Sequence, residues 1–247
     1  HLFTIGADGR GLRRVGDDDA GELDPAWSPD GRRIAYARAE PFRFSPPPSV
    51  HLARPDGSGR RDLTPSQPSF QPDWSPDGRR VALTVPGAME TTEISIVDLD
   101  GSPLALFDDT PTSDSEPRWS PDGRRLAVSA YGGPDNDDVA LIDPATGRFR
   151  RLTDGPGYEH SPAWSPDGRR IAYVNDGAVH VMRADGSADR ALTRGRKDAA
   201  PAWSPDGRRL TFVRDGNLFI TGPDGSGAAC VRTGMLLTSG ARWRPLP

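Results

Sequence analysis

The sequence predicts an all-β fold, a six-bladed β-propeller built from four-stranded antiparallel blades. The main observation is the segment WSPDGRR, which occurs five times, and a sixth copy that breaks off after Trp243, Arg244 and Pro245. Consecutive copies lie 39 to 47 residues apart, and each of the 6 tryptophans opens a copy. Repeats of about 40 residues are typical of small sheets that stack to bury a shared core. The copies open at Trp27, Trp74, Trp119, Trp164, Trp203 and Trp243.

Each repeat carries signals for four strands, as residues 162–193 illustrate. Proline and glycine mark the turns, and β-branched and aromatic residues mark the strands. The expected elements are, in order, an extended first strand at 162–165, a tight turn at 166–168, a second strand at 170–174, a turn at 175–177, a third strand at 179–182, a turn at 184–187 and a fourth strand at 190–193. Four antiparallel strands in about 40 residues are one propeller blade.

The phase of the repeats predicts how the ring closes. The third-and-fourth-strand half also occurs six times, and the chain begins in the second half of a blade. We therefore expect the N-terminal strands to pair with the strand that contains Trp243, which would remove free sheet edges. Residues 1–247 then form a single propeller domain. Because only Leu246 and Pro247 follow Pro245, we expect that the closing blade has three strands, without its second one, or that the sequence belongs to a trimmed chain.

Charge and composition give no reason to expect nucleic acid, disulfides or membrane insertion. The net charge of −4 gives no global reason to expect nucleic acid, and an aspartate just upstream of each Arg-Arg pair should offset much of its charge. The single cysteine, Cys230, excludes an internal disulfide. No apolar run approaches the length of a membrane span, so membrane insertion is not expected. The protein is expected to be a monomer.

The repeat resembles that of the TolB-type (WD40-like) propellers over essentially the whole chain. The resemblance rests on WSPDG, a basic pair, a hydrophobic residue, alanine and an aromatic residue, followed later by DGS and LT. TolB is a periplasmic protein that binds other proteins through its propeller, so the resemblance implies a protein or peptide partner and a periplasmic or extracellular location. Similar repeats form the non-catalytic propellers of prolyl-oligopeptidase-like and tricorn-like peptidases. The extra N-terminal domain of TolB and a hydrolase domain are both missing from this sequence. The fold therefore does not identify the partner.

The candidate partner-binding residues lie on the face where loops vary among the copies. The SPDG and DGS turns of the opposite face hardly vary, whereas the loops from second to third strand are long in the first three blades and short in the next two. Variable loops on a rigid scaffold commonly carry binding sites, and aromatic residues dominate binding hot spots. The candidates are Phe42, Phe44, Phe70, Met89, Tyr131, Tyr158 and His160.

Polar residues three and five positions before the tryptophans are expected at the mouth of the central channel on the same face. They are Glu22, Asp24, Gln71, Asp114, Glu116, Glu159 and Asp198. Converging carboxylates would favour a cation or a basic group of a partner, and hard oxygen ligands suit Ca²⁺ or Mg²⁺. Asp24, Glu116 and Glu159 are the candidate ligands of such an ion, while the simpler interpretation is a solvated acidic rim without a cofactor.

Binding without catalysis is the function that the sequence favours. Neither a nucleophile elbow nor an HExxH, P-loop or cysteine-based motif occurs. His160, beside Glu159, is the only histidine placed to act as a general base. We therefore expect a non-enzymatic scaffold that recognises a protein or peptide segment. Two alternatives stay open, a metal-dependent hydrolase or lactonase that uses the acidic mouth, and the propeller of a larger peptidase.

Overall fold

The structure is a computed structural model of residues 1–247. It describes residues 1–15, 20–39, 47–108, 110, 112–132, 136–155, 157–195, 197–231 and 240–245, except for the side chain of Met89. The candidates Phe42 and Phe44 therefore lie outside the described residues. No helix in the described ranges is long and apolar enough to cross a membrane.

Five blades with four antiparallel strands each follow one another along the chain. An N-terminal hairpin precedes them, with β1 (Phe3–Thr4) and β2 (Arg13–Arg14). The first blade contains β3 (Gly21–Trp27), β4 (Ile34–Ala39), β5 (Ser49–Ala53) and β6 (Arg61–Asp62). The second contains β7 (Phe70–Trp74), β8 (Arg80–Pro86), a 3-10 helix (Ala88–Glu90), β9 (Thr92–Asp98) and β10 (Pro103–Phe107). Both blades have the four antiparallel strands that the sequence predicts.

The remaining blades have the same order of strands. The third contains β11 (Ser113–Trp119), β12 (Leu126–Tyr131), β13 (Asn136–Ile142) and β14 (Phe149–Arg151). The fourth contains β15 (Gly157–Trp164), β16 (Arg170–Asn175), β17 (Ala178–Arg183) and β18 (Arg190–Ala191). The fifth contains β19 (Asp198–Trp203), β20 (Leu210–Arg214), β21 (Asn217–Thr221) and β22 (Ala229–Val231). Two parallel pairs, Asn136 with Gly157 and Asp137 with Tyr158, join the third and fourth blades.

The hydrophobic core lies between consecutive blades. One cluster, for example, joins Leu52 and Leu63 of the first blade to Trp74, Val81 and Val97 of the second. Equivalent clusters fill the next three interfaces. A fifth joins the N-terminal hairpin to the first blade. Since each sheet is covered on both faces, its central strands are apolar on both faces, as the sequence shows.

The SPDG turns fix the face of the molecule opposite the variable loops. In all five turns the serine hydroxyl donates to the aspartate two residues later, at 2.5 to 2.6 Å. That hydrogen bond is the main reason why the pKa of each turn aspartate is lowered. The main role of these carboxylates is therefore to hold the turn. Among the described residues, only one of them forms an ion pair with an arginine, Asp77 with Arg80 at 3.5 Å.

The ring closes in space, and the pairing of the N-terminal strands with the Trp243 strand stays a prediction. The guanidinium of Arg244 lies 5.4 Å from the ring centroid of Trp27, which brings the C-terminal segment against the first blade. In the part of the chain that the structure describes, β1 nevertheless pairs only with β2.

Candidate functional site

A β-bulge in each first strand turns one side chain towards the axis of the ring. The pairing register between first and second strands shifts at the same place in all five complete blades. The residue three positions before the tryptophan has a left-handed backbone there, with φ between 50° and 55°. A proline follows each of these residues, and its ring disfavours the right-handed α conformation at the residue before it. The bulge thus re-aims one side chain per blade.

These bulge residues surround one cavity of about 420 Å³, which is the mouth of the central channel. Lys197 and Asp215 lie at its rim, with 3.5 Å between the Lys197 Nζ and the Asp215 Oδ1. Since equivalent residues of six repeats meet here, the cavity also shows the six-fold arrangement of the ring. The six residues are Asp24, Gln71, Glu116, Ser161, Ala200 and Gly240.

Two of the bulge side chains link neighbouring blades. The side chain of Gln71 accepts a hydrogen bond from the Glu116 backbone N–H at 3.1 Å. Glu116 in turn accepts from the Ser161 N–H at 2.7 Å and from its hydroxyl at 2.9 Å. Ser129 also donates to Glu116, at 2.7 Å. The carboxylate of Glu116 is therefore already occupied by the protein itself.

Two arginines outside the predicted set of residues also line the mouth. Arg118 is buried, and Arg242 lies beside it, each one residue before a tryptophan. Burial and the neighbouring Arg118 lower the pKa of Arg242 to about 10. Burial raises the pKa of Asp24, although both guanidiniums oppose that shift. The mouth therefore combines carboxylates with guanidiniums and is not the purely acidic surface that the sequence suggested.

A comparison of the internal copies could have found these arginines. The position before each tryptophan holds alanine three times and a charged residue three times, Asp73, Arg118 and Arg242. Asp73 is used structurally, because its Oδ2 accepts a hydrogen bond from the Trp119 N–H at 2.8 Å.

The residues five positions before the tryptophans do not lie at the mouth. Glu22, Asp114, Glu159 and Asp198 are all buried and belong to blade interfaces, so their expected place at the mouth is corrected. The bulge explains why residues two apart in one strand point in different directions. Side chains of a regular strand alternate between its two faces, and the register shift breaks that alternation between these buried residues and those that line the channel.

Most of these buried carboxylates have partners. Glu22 accepts a hydrogen bond from the Leu2 N–H at 3.1 Å. Asp198 accepts from the Arg214 Nε at 2.5 Å and from Thr193 of the preceding blade. Asp114 accepts from Thr112 at 2.6 Å, yet burial raises its pKa to about 6. They join strands and blades, and they are closed to a partner.

Glu159 differs from its counterparts. The threonine equivalent to Thr193 is Thr153, but its hydroxyl donates to Asp138, at 3.1 Å. No described residue donates a hydrogen bond to Glu159 Oε2. Burial, together with Asp138, Asp176, Asp189 and Asp137, raises its pKa to about 7. At the junction of the third and fourth blades, ionisation of the Glu159 carboxyl group therefore costs free energy in the folded protein.

The aromatic candidates differ in accessibility. Tyr131, at the end of β12, and Tyr158, in β15, are each 48% exposed. Phe70 is half-buried in β7. The His160 ring nitrogen Nδ1 lies 3.0 Å from the Ser161 hydroxyl. Tyr131 and Tyr158 are thus the candidates that offer most surface to a partner.

No group of three or more histidines, cysteines, aspartates or glutamates in the described ranges is arranged to hold a metal ion. Of the three candidate ligands, Glu159 is buried away from the mouth, and Glu116 is held by Ser129 and Ser161. Asp24 faces Arg118 and Arg242. A metal ion in the channel stays a prediction.

Residues 33–227 match the family model described as the TolB beta propeller domain. The chain belongs to this family. The resemblance seen in the repeats and the propeller fold are thereby confirmed. Among curated protein sequences, none matches the chain significantly.

Solved structures show the same fold. A protein assigned to TolB from Agrobacterium tumefaciens is 22% identical with a TM-score of 0.80, over 98% of this chain and 92% of that one. TolB from Acinetobacter baumannii is 23% identical with a TM-score of 0.83, over 99% of this chain, which spans 62% of its length. A chain of the nidogen/laminin complex is 13% identical with a TM-score of 0.74, over 90% of this chain and 84% of that one. At these identities the similarity shows the fold alone.

Proposed function

We propose that this TolB-like propeller is a non-enzymatic scaffold that binds a protein or peptide segment on its variable-loop face. The observation that carries the proposal is the channel mouth, where side chains from all six repeats surround one cavity. The mouth offers carboxylates and guanidiniums together, so it suits a peptide, whose main chain and side chains supply both donors and acceptors.

The surroundings of the mouth support the same function. Tyr131 lies at the end of β12 and Tyr158 near the start of β15, and both are exposed, so they can contribute apolar contact area to a partner. The family also supports a binding scaffold in general. As for TolB, we propose a location outside the cytoplasm, in the periplasm or the extracellular space, and a monomer as the active form.

A selection of peptides tests this function directly. A library of random displayed peptides is bound to the immobilised protein, and the affinity of selected peptides is measured by fluorescence anisotropy. We expect Tyr158→Ala and Arg118→Gln each to weaken binding by about tenfold, the effect of roughly 1.4 kcal/mol. The control is Leu104→Ala, because Leu104 is equally accessible, 53% exposed, but lies on an outer strand of the second blade.

The result that opposes the proposal is a selection without specific peptides, or peptides that bind the mouth variants as well as the wild type. The hydrolase and peptidase alternatives stay separate predictions. A metal-dependent hydrolase requires an ion at the mouth, which a metal titration detects, and the peptidase alternative requires a hydrolase domain in the same protein.

A further inference from the structure

Two guanidiniums at the channel mouth have few acceptors in the protein. Arg118 is 9% exposed, and it lies with Arg242 on the wall of the cavity of about 420 Å³. Arg118 donates a hydrogen bond to the carbonyl oxygen of Pro117 at 2.7 Å. Arg242 donates one to the carbonyl oxygen of Pro201 at 3.5 Å. The buried Nε of Arg118 has no hydrogen-bond partner among the described residues, and neither guanidinium forms an ion pair within that part of the chain.

The carboxylates around the mouth do not supply the missing acceptors. Glu116 already accepts hydrogen bonds from two serine hydroxyls and a backbone N–H. Asp73 accepts one from the Trp119 N–H at 2.8 Å. Burial raises the pKa of Asp24, so its charge is itself costly at this place. Asp24 and Asp73 attract both guanidiniums at longer range, but the N–H donors of the guanidiniums stay available to another acceptor.

The two arginines also repel each other. They occupy the same position of the third and sixth repeats, one residue before the tryptophan, and these repeats stand opposite each other in a ring of six. Burial, together with the charge of Arg118, lowers the pKa of Arg242 to about 10. Like charges in a poorly solvated site raise the free energy of the folded protein unless an anion offsets them. The site therefore favours an acceptor that carries negative charge.

We propose that the channel mouth binds a carboxylate group between Arg118 and Arg242. The planar fork of a guanidinium matches a carboxylate with two parallel N–H···O bonds, and two forks can hold one such group from both sides. A single negative charge suits the site better than the double charge of a phosphate, because Asp24 and Glu116 lie on the same cavity wall. The inference rests on the proposed function, since it names the group of the bound peptide that enters the mouth, an acidic side chain or the C-terminus.

NMR of the wild-type protein with ¹⁵N-labelled arginine tests the site directly. The Nε–H resonances of Arg118 and Arg242 are identified by their loss in Arg118→Gln and Arg242→Gln. Sodium acetate is then titrated into the wild type while sodium chloride keeps the ionic strength constant. We expect both resonances to shift saturably with one dissociation constant. Arg124, an exposed arginine of an SPDG turn, is the internal control and should show no saturable shift.

Variants show whether both guanidiniums hold the anion. Arg118→Gln and Arg242→Gln are each expected to weaken acetate binding about tenfold, measured at the arginine that remains, because charge-assisted hydrogen bonds are lost. Arg118→Lys keeps the charge but loses the fork, so it should also bind acetate more weakly than the wild type. The matched control, Arg124→Gln, is expected to bind acetate like the wild type. Thermal melts establish that each variant is folded.

Small probes distinguish the two sources of the carboxylate. N-acetylglutamate α-amide carries only a side-chain carboxylate, N-acetylalanine carries only a terminal one, and N-acetylglutamine amide carries neither. We expect the charged probe that matches the peptide to bind more tightly than acetate, and the uncharged probe to leave both resonances in place. The proposal is overturned by the lack of a saturable response to acetate, by an equal response at Arg124, or by an equal response to the uncharged probe.

Failure of this inference and failure of the proposed function give different results. Selected peptides that bind the mouth, without a response of the two arginines to acetate, would overturn the carboxylate site and leave the proposed function in place. A saturable response to acetate would support the carboxylate site even if the selection yielded no peptide, and the source of the carboxylate would then be a small molecule.

Discussion

Single side chains at equivalent positions of the repeats have very different environments. Glu159 and Glu22 occupy the same place in their blades and are 3% and 2% exposed, respectively. Glu22 accepts a hydrogen bond from Leu2 and lies 3.9 Å from the Arg60 guanidinium. Glu159 lies among aspartates, and no described residue donates to its Oε2. The carboxyl group at this position therefore stabilises the interface at Glu22 and destabilises the interface at Glu159.

Stability should consequently fall with rising pH because of Glu159. Its pKa is about 7 in the folded protein and near 4.5 when unfolded, so the folded state holds an extra proton between these values. The free energy of unfolding decreases through that window and is lowest above pH 7. We expect Glu159→Gln to add about 1–3 kcal/mol at pH 8 and almost nothing at pH 4. Urea denaturation at both pH values measures the difference.

The matched control is Glu22→Gln. Because Glu22 is equally buried but has a backbone donor and an arginine nearby, this variant is expected to lose stability at pH 8. A Glu159→Gln variant that is less stable than the wild type at pH 8 would show that the carboxylate has a favourable partner and that the junction is not strained.

Calcium and magnesium should leave the melting temperature unchanged. Glu116 is held by Ser129 and Ser161, and two guanidiniums face Asp24, so little coordination capacity remains at the mouth. Thermal melts with Ca²⁺, Mg²⁺ or EDTA measure this. A metal that binds only the folded protein adds about 2.7 kcal/mol at a hundredfold excess over its dissociation constant. A shift of that size, lost in Glu116→Ala, would establish the metal site.

At the scale of the elements, the turns explain why parts of the repeat hardly vary. The DGS turns place a glycine with positive φ against the last strand of the preceding blade. At Gly101, with φ of 91°, an added Cβ would lie 2.1 Å from the Leu63 carbonyl oxygen. Gly147 in the next blade has φ of 71° and nothing within 4 Å. Only the first of the two needs glycine for space as well as for conformation.

The two glycines therefore give a matched pair of variants. Gly147→Ala is expected to cost about 1 kcal/mol of unfolding free energy, because alanine disfavours positive φ. Gly101→Ala adds a backbone clash and should cost about 3 kcal/mol or more. Chemical denaturation of both variants tests this. Equal losses of unfolding free energy in the two variants would show that the close approach of Gly101 to the Leu63 carbonyl group does not contribute to stability.

The strands and turns could be predicted from the sequence, but the bulges could not. Repetition fixes strand order, since Pro, Gly and Asp recur at each turn. The direction of a side chain depends on the register shift in the first strand, which leaves no separate signal in composition. For this reason Gln71 and Glu116 lie around the channel cavity, whereas Asp114 and Glu159, two residues earlier in their strands, are buried. The charges of Arg118 and Arg242 were visible in the sequence, but their convergence needs the closed ring.

The whole molecule is a ring whose interfaces are unequal, and its stability should be unequal as well. Cores of similar kind lie between the first five blades, while a cavity separates the fifth blade from β1. Local opening is easiest where few apolar contacts and few backbone hydrogen bonds hold a segment. The edge of β1 is therefore the expected starting point of partial unfolding in the described part of the chain.

Native-state hydrogen exchange tests this distribution. The suitable comparison is between β1 and β17, both third strands that pair with a two-residue fourth strand. Among the described residues, only β17 also pairs with a second strand. Its amides should therefore exchange at least about a hundredfold more slowly than those of Phe3 and Thr4, which corresponds to roughly 2.7 kcal/mol in opening free energy. Protection of β1 equal to that of β17 would mean that the ring is held as firmly at its closure as elsewhere, and that the cavity does not weaken it.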